Sequence, residues 1–382
     1  MIQLGWRGYY LLKNVPRSSR NPNADLFFAL LDARKTFAKG DAMNSTLLKL
    51  FMIFLFTALL PTQSFAQDSF YQGKTVRIIV GSSAGGGYDT YSRTIARHMG
   101  KFIPGNPTFV VENMPGAGFL ISANYIYKVA KPDGLTIGHF IGGLFLQQLL
   151  EKPGVEFDAR RFEFVGVPTQ DNYSLGISKA TGLTTFDQWL SSKTPVKLGG
   201  VGVGSATDDI PKVLAATIGL PMQLVTGFKG TADVRLAFNS GEVQGVCNAW
   251  ESFKSTWRNE LDSGNLIVVL QTTAKHHPEL PKVPLAIDYA KTDEAKRLIN
   301  ALVHSVGPTA RPYVLPPQTP KNRGAILQNA FMQTMKDPNF LAEAAKAKLD
   351  INPLDGADLE RNVRDVFNLD KSLIPKAKEI LK

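Results

Sequence analysis

The chain has little of what redox or metal chemistry needs. One cysteine, Cys247, occurs in 382 residues, so no internal disulfide can form, and its GVCNAW setting reads as a strand with a buried, inert thiol. The five histidines, His98, His139, His276, His277 and His304, fall in no H-E-x-x-H or related spacing, so neither a metal site nor a cofactor is expected. No stripe of Lys and Arg interleaved with aromatics marks a nucleic-acid surface. The longest apolar run, LFMIFLFTALL at residues 50–60, falls short of the ~20 residues of a membrane span.

That short run has another reading. Lys49 precedes it, the helix-breaking Pro61 follows, and Ser64 and Ala66 occupy the small-residue positions of an export cleavage site. The pattern predicts a signal peptide starting at Met43, cleaved after Ala66, with a periplasmic mature protein and no fold in residues 1–66. Those 66 residues carry 8 of the 43 Lys and Arg and 3 of the 33 Asp and Glu, so the other 316 hold 35 against 30, a net of +5. A weak positive field suits the steering of small anions.

The densest signal is VRIIVGSSAGGGYDTYSRTIARHMG, residues 76–100. A β-branched run enters a turn at Gly85, Gly86 and Gly87 that opens into a helix. Glycines admit close backbone approach, and a helix start presents unpaired N–H groups and about half a positive charge, which makes a cradle for an anion. The Lys-Ser/Thr ending of a nucleotide P-loop is missing and Asp89 lies in the first turn, so a carboxylate suits the turn better than a phosphate. Strand and helix patterns alternate onward, and a second glycine turn, VKLGGVGVGSATDDIPKVLAATIG, opens another helix. The alternation predicts α/β architecture with mainly parallel sheets and ligands outside the strand carboxyl ends. The Pro-rich RPYVLPPQTP, residues 311–320, reads as an extended return crossing that cannot lie in mid-sheet.

Five segments in this order resemble the solute receptors of tripartite tricarboxylate transporters, the Bug family: VGSSAGGGYDTYSR (80–93), VENMPGAGF (111–119), KPDGLTIG (131–138), GVGSATD (202–208) and FKGTADVRLAFNSGEVQG (228–245). The resemblance implies a two-lobed, type II-like periplasmic binding protein whose lobes are mainly parallel sheets flanked by helices and hinged by crossing strands. Lobe 1 would comprise residues 67–171 plus 308–382, and lobe 2 residues 172–307. It further implies a monomer, not an enzyme, that captures a small carboxylate and delivers it to membrane permease subunits. The family's site, carried over, puts Ser82, Ser83, Ala84, Gly85, Gly86, Gly87 and Asp89 in one wall, Gly204, Ser205, Thr207 and Asp208 in the other, and Asn248 and Trp250 at the cleft edge.

This chain departs from the family pattern in having Gly81 and Ser82 for a Pro and an aromatic residue, Phe228 for a Tyr, and Asp208 for a His, with Asp209 beside it. Facing the cleft, Asp208 would select a ligand with one carboxylate; as a helix cap it would tolerate asparagine. Two other functions remain open: a sensory receptor signalling to a membrane kinase, and an exported α/β enzyme using GGVGVGSA as a dinucleotide loop, though the third glycine of G-x-G-x-x-G is absent.

Overall fold

The computed structural model describes residues 69–382; the leader expected at residues 1–66 lies outside them. Eleven strands in this region form two sheets. The chain builds β1 (Thr75–Val80), β2 (Thr108–Asn113), β3 (Thr136–His139) and β4 (Glu163–Val167). It then crosses to β5 (Tyr173–Ser178), β6 (Val196–Gly199), β7 (Met222–Val225), β8 (Gly245–Ala249) and β9 (Leu266–Gln271), and returns with β10 (Tyr313–Leu315) and β11 (Leu354–Asp355). The first sheet runs β11-β4-β10-β3-β1-β2 and the second β7-β6-β8-β5-β9.

Both sheets repeat one plan. β1 pairs parallel with β2 and β3, and β6 with β7 and β8. The strand made just after each crossing, β5 or β10, inserts antiparallel between two strands of its sheet. Most strands of each sheet therefore point one way, as expected, while the crossing strands make the pairing mixed. β10 corrects the reading of the Pro-rich segment: Tyr313–Leu315 lies in mid-sheet, between β3 and β4. The prolines stand immediately outside it, at 312, 316 and 317, so the three paired residues keep their N–H donors.

Six helices follow the carboxyl ends of parallel strands: α1 (Gly87–Met99) after β1, α2 (Leu120–Lys128) after β2 and α3 (Gly143–Leu149) after β3. On the second sheet, beyond the short α4 (Phe186–Leu190), come α5 (Ala206–Ile218) after β6, α6 (Thr231–Asn239) after β7 and α7 (Trp250–Thr256) after β8. The rest are α8 (Arg258–Asp262), α9 (Asp293–Ile299), α10 (Lys321–Thr334), α11 (Pro338–Lys346), α12 (Gly356–Phe367) and α13 (Ile374–Ile380). Ile95 and Met99, four apart, bury one face of α1 in the core of the first sheet, while Tyr91 packs with Ala344 and Leu349. The end of the chain does otherwise: Leu373, Ala377 and Leu381 join the core of the second sheet, and Arg297 on α9 pairs with Asp370.

Side-chain caps occur on four of the helices, while α8, α10 and α13 have none. Thr185, Thr292, Asp337 and Asp355 accept from the first turns of α4, α9, α11 and α12. The six helices that follow the parallel strands β1, β2, β3, β6, β7 and β8 have none either. Their first-turn N–H groups and the positive ends of their dipoles are left for other partners.

Candidate functional site

The loops at the strand ends of the two sheets meet directly. Ser83 N–H donates to the Lys229 carbonyl (3.0 Å) and Ser83 Oγ to Asp233 Oδ2 (2.5 Å). On the neighbouring strands, Gln147 Nε2 of α3 donates to Asp209 Oδ2 of α5 (2.9 Å). The backbones approach so closely that a Cβ on Gly143 would lie 2.0 Å from the Gly204 carbonyl oxygen. This cross-sheet contact needs glycine.

In the first loop, Ser82 and Ser83 precede the glycines and Ala84 and Gly85 face solvent. The string Gly81 to Gly85 has the G-x-S-x-G spacing, yet Ser83 Oγ is bonded to a carboxylate and sits four residues before the helix, which is not the geometry of a hydrolase nucleophile. Asp89 turns back onto the loop: it accepts from Gly85 N–H (2.9 Å), Asn113 Nδ2 (2.9 Å) and Arg93 Nε (2.9 Å). Burial works to raise its pKa, and the Arg93, Gly85 and Asn113 bonds outweigh it and hold the carboxyl below its ordinary range. The ion pair leaves little net negative charge there to repel a ligand.

The second loop uses the same device with another balance. Asp208, 1% exposed, accepts at Oδ2 from Gly202 N–H (2.9 Å), Ser205 Oγ (2.9 Å) and Thr207 Oγ1 (3.0 Å), and at Oδ1 from Thr226 Oγ1. Gly204 N–H donates to Asp209. Asp208 therefore neither faces the cleft nor caps its own helix, whose N-cap is Ser205; it knits Gly202, Ser205 and Thr207 into one rigid loop. No arginine balances this pair. Burial pushes the Asp209 carboxyl up to about 7, with the Gly204 N–H bond opposing and the Asp208 charge adding to the rise.

Asn248, next to last in β8, stands opposite Ser174 of β5. Its Oδ1 accepts from Ala249 N–H while Nδ2 is buried without a protein partner. Trp250 is not brought to the glycine loops: its Nε1 donates to Glu279 (2.6 Å), and it shares a groove with Lys254, Arg258 and Asp350. Cys247 is buried, as expected, and burial pushes its thiol well up.

Sequence reading missed the floor of this region. Arg311, 1% exposed, donates from Nε to Asp171 Oδ1 (2.5 Å) and from Nη2 to Ser252 Oγ (2.7 Å). The Tyr88 and Tyr91 rings lie 4.7 and 4.9 Å from the guanidinium. Burial works against the Arg311 charge and Asp171 outweighs it. Asp171 and Arg311 stand at the two sheet crossings and Ser252 on α7, so one side chain ties both connections to the second sheet. The lone arginine inside a Pro-rich crossing was the one available signal. Beside it His139, pushed down to about 3 by burial, is neutral; its Nδ1–H donates to the Pro312 carbonyl (3.0 Å), leaving Nε2 an acceptor without a partner.

Of the eight buried side-chain polar atoms without a partner among the described residues, six belong to these loops and strand ends: Ser82 Oγ, His139 Nε2, Gln147 Oε1, Ser174 Oγ, Asn248 Nδ2 and Arg311 Nη1. Both sheets contribute. Buried polar atoms cost about 1–3 kcal/mol each when unpaired, so their concentration here marks a surface made for another molecule or for water. Among the described residues no group of His, Cys, Asp and Glu could hold a metal ion, and no helix is long and apolar enough to cross a membrane.

The model of the family described as "Tripartite tricarboxylate transporter family receptor" matches residues 92–378. A curated protein of Cupriavidus necator, "UPF0065 protein in gbd 5'region", is 23% identical over 326 residues, covering 84% of this chain and 91% of its own. Among solved structures, the periplasmic binding protein BugD is similar with a TM-score of 0.65 at 20% identity, over 81% of this chain and 97% of its own. MatC from Rhodopseudomonas palustris, solved with bound malate, is similar with a TM-score of 0.63 at 20% identity, over 81% and 99%. At these identities the two structures establish the fold.

Proposed function

The chain belongs to the receptor family of tripartite tricarboxylate transporters, and from that premise we propose that it captures a small organic acid between two lobes and hands it to the permease of such a transporter. The lobes are residues 67–171 with most of 308–382, and residues 172–307, the last helix crossing back to brace the second. The observation that carries this reading is the meeting of six uncapped helix starts with unpartnered buried atoms from both sheets. An acid there bonds both lobes in the closed form and only one in the open form, so binding favours closure. BugD's description as a periplasmic binding protein and the malate held by MatC support a periplasmic location and a carboxylate ligand.

The first wall is Ser82 to Gly87 with the α1 N-terminus, and the second is Gly204, Ser205 and Thr207 with Asn248. Asp89 and Asp208 shape these walls without touching the ligand. Residues 1–66 are removed on export, the mature protein works as a monomer, and it carries out no chemistry on its cargo.

A melting-temperature screen of the mature protein against organic acids tests the reading. An acid at 100 times its dissociation constant should stabilise by about 2.7 kcal/mol. No shift with any acid across a panel of mono-, di- and tricarboxylates would refute it.

A further inference from the structure

Trp250, expected at the cleft edge, belongs instead to a chain of polar contacts that runs from elements of the second sheet to elements of the first. Its Nε1 and the Lys254 Nζ, one turn apart on α7, both donate to Glu279 Oε2, at 2.6 and 2.7 Å. Glu279 is fixed beside β9: its N–H donates to His277 Nδ1, and His277 N–H donates to Oε1 of Gln271, the last residue of that strand. The Lys254 ammonium also pairs with Asp350 Oδ2 at 2.6 Å. Asp350 lies past α11 and is held by first-sheet elements. Its carbonyl accepts from the Tyr91 hydroxyl of α1 (2.9 Å), and Asn352 N–H donates to the carbonyl of Pro168, just after β4 (3.1 Å).

The two partners of Lys254 differ in where they are anchored. Glu279 and Trp250 sit on the same lobe as the lysine, so those contacts hold whether the lobes are together or apart. Asp350 sits on the other lobe. A groove of about 950 Å³ lies beside the pair, walled by Trp250, Lys254 and Leu261 from α7 and α8 and by Leu341, Ala344 and Leu349 from α11 and the turn after it. The Lys254 side chain is largely covered there; burial works against its charge, and the bonds to Asp350 and Glu279 outweigh it. A lysine stem loses much rotamer freedom when it is fixed. Because Glu279 already fixes it, Asp350 meets an ammonium that is in place before the lobes come together.

We propose that Lys254 and Asp350 form a latch between the lobes, an ion pair outside the ligand's walls that is made on closing and broken on opening, with Trp250 and Glu279 positioning the lysine for it. The inference rests on the solute-receptor reading above and adds to it a control of closure. The pair stabilises the closed form without touching the acid, so it raises affinity for every acid by the same factor. It therefore governs how long cargo is held and leaves the choice of cargo to the glycine loops.

The test compares the wild type with Lys254→Met, Asp350→Ala and the double variant, by calorimetry and stopped-flow, using those of succinate, malate, adipate, citrate, butyrate and benzoate that bind the wild type. Each single variant should bind every such acid about two- to fivefold more weakly, the range of a partly exposed ion pair. The loss should fall on the dissociation rate and shrink at high salt. The double variant should lose no more than the larger single loss. Without acid, Asp350→Ala should melt as the wild type does, because the open form has no such pair to lose. A pair that only supports the fold gives the reverse, a lower melting temperature without acid and an unchanged affinity. That reverse result, additive losses in the double variant, or losses confined to some acids would overturn the latch and leave the receptor reading intact. Binding of none of these acids by the wild type counts against the receptor reading itself, and the latch falls with it.

Discussion

The two glycine loops solve one problem with different electrostatics. Each is held by a carboxylate reaching back from the first turn of the following helix: Asp89 to Gly85 in one, Asp208 and Asp209 to Gly202 and Gly204 in the other. In the first loop Arg93 pairs with the carboxylate and keeps it ionised. In the second loop the only side-chain donors are neutral: Gln147 for Asp209, and serine and threonine hydroxyls for Asp208. Burial therefore lifts Asp209 into the neutral pH range. The first loop is insensitive to physiological pH, and the second titrates where it touches the partner sheet. An acidic residue at a helix start thus does not by itself argue against an anion site; what its oxygens accept decides.

The largest break of the comparison lies beneath both loops. Arg311→Leu leaves Asp171 buried and unpaired, and should lower the unfolding free energy by about 3–5 kcal/mol, measured by denaturant titration. Asp208→Asn should cost about 1–3 kcal/mol, because an amide cannot accept at both positions from the four donors that now converge on the carboxylate. The same assay would rule out its loop-stapling role if the variant matched wild type.

Gly143→Ala breaks the cross-sheet contact without touching either carboxylate. The added Cβ needs a shift costing about 1–3 kcal/mol, so affinity for an acid found by screening should fall roughly tenfold to hundredfold with unfolding free energy little changed. Calorimetry and denaturant titration together separate the two effects.

The smallest effects sharpen the contrast through pH. Asp209 is raised from 3.8 to about 7, so the folded protein binds its proton more tightly than the unfolded chain. Its contribution to stability is complete below about pH 4 and declines as pH rises to about 7. Asp89 is lowered, so its contribution is present above about pH 4 and is lost in stronger acid. The stability difference between wild type and Asp209→Asn should therefore change between pH 4 and 7, and that for Asp89→Asn only below about pH 4. Parallel profiles would contradict the assignment.

Much of the fold was legible because its signals are local. Three apolar strands leading through glycine turns into helices predict β1 to α3, and the second glycine turn predicts β6 and α5. Mid-sheet β10 was misread because proline density in RPYVLPPQTP hides the three residues 313–315 that pair. The site was legible only as a pair of loops. Which oxygens Asp208 and Asp209 offer, and that Lys229 and Asp233 meet Ser83 from about 150 residues away, depend on two sheets being brought face to face. No window of sequence carries that.

The most direct measurement of the central claim is small-angle scattering of the mature protein with and without an acid identified by the melting screen. If the chain is a receptor that closes over a carboxylate, the radius of gyration falls on adding the acid to wild type and does not fall in Gly143→Ala. A radius unchanged by a saturating, calorimetrically verified acid in wild type would contradict capture by closure.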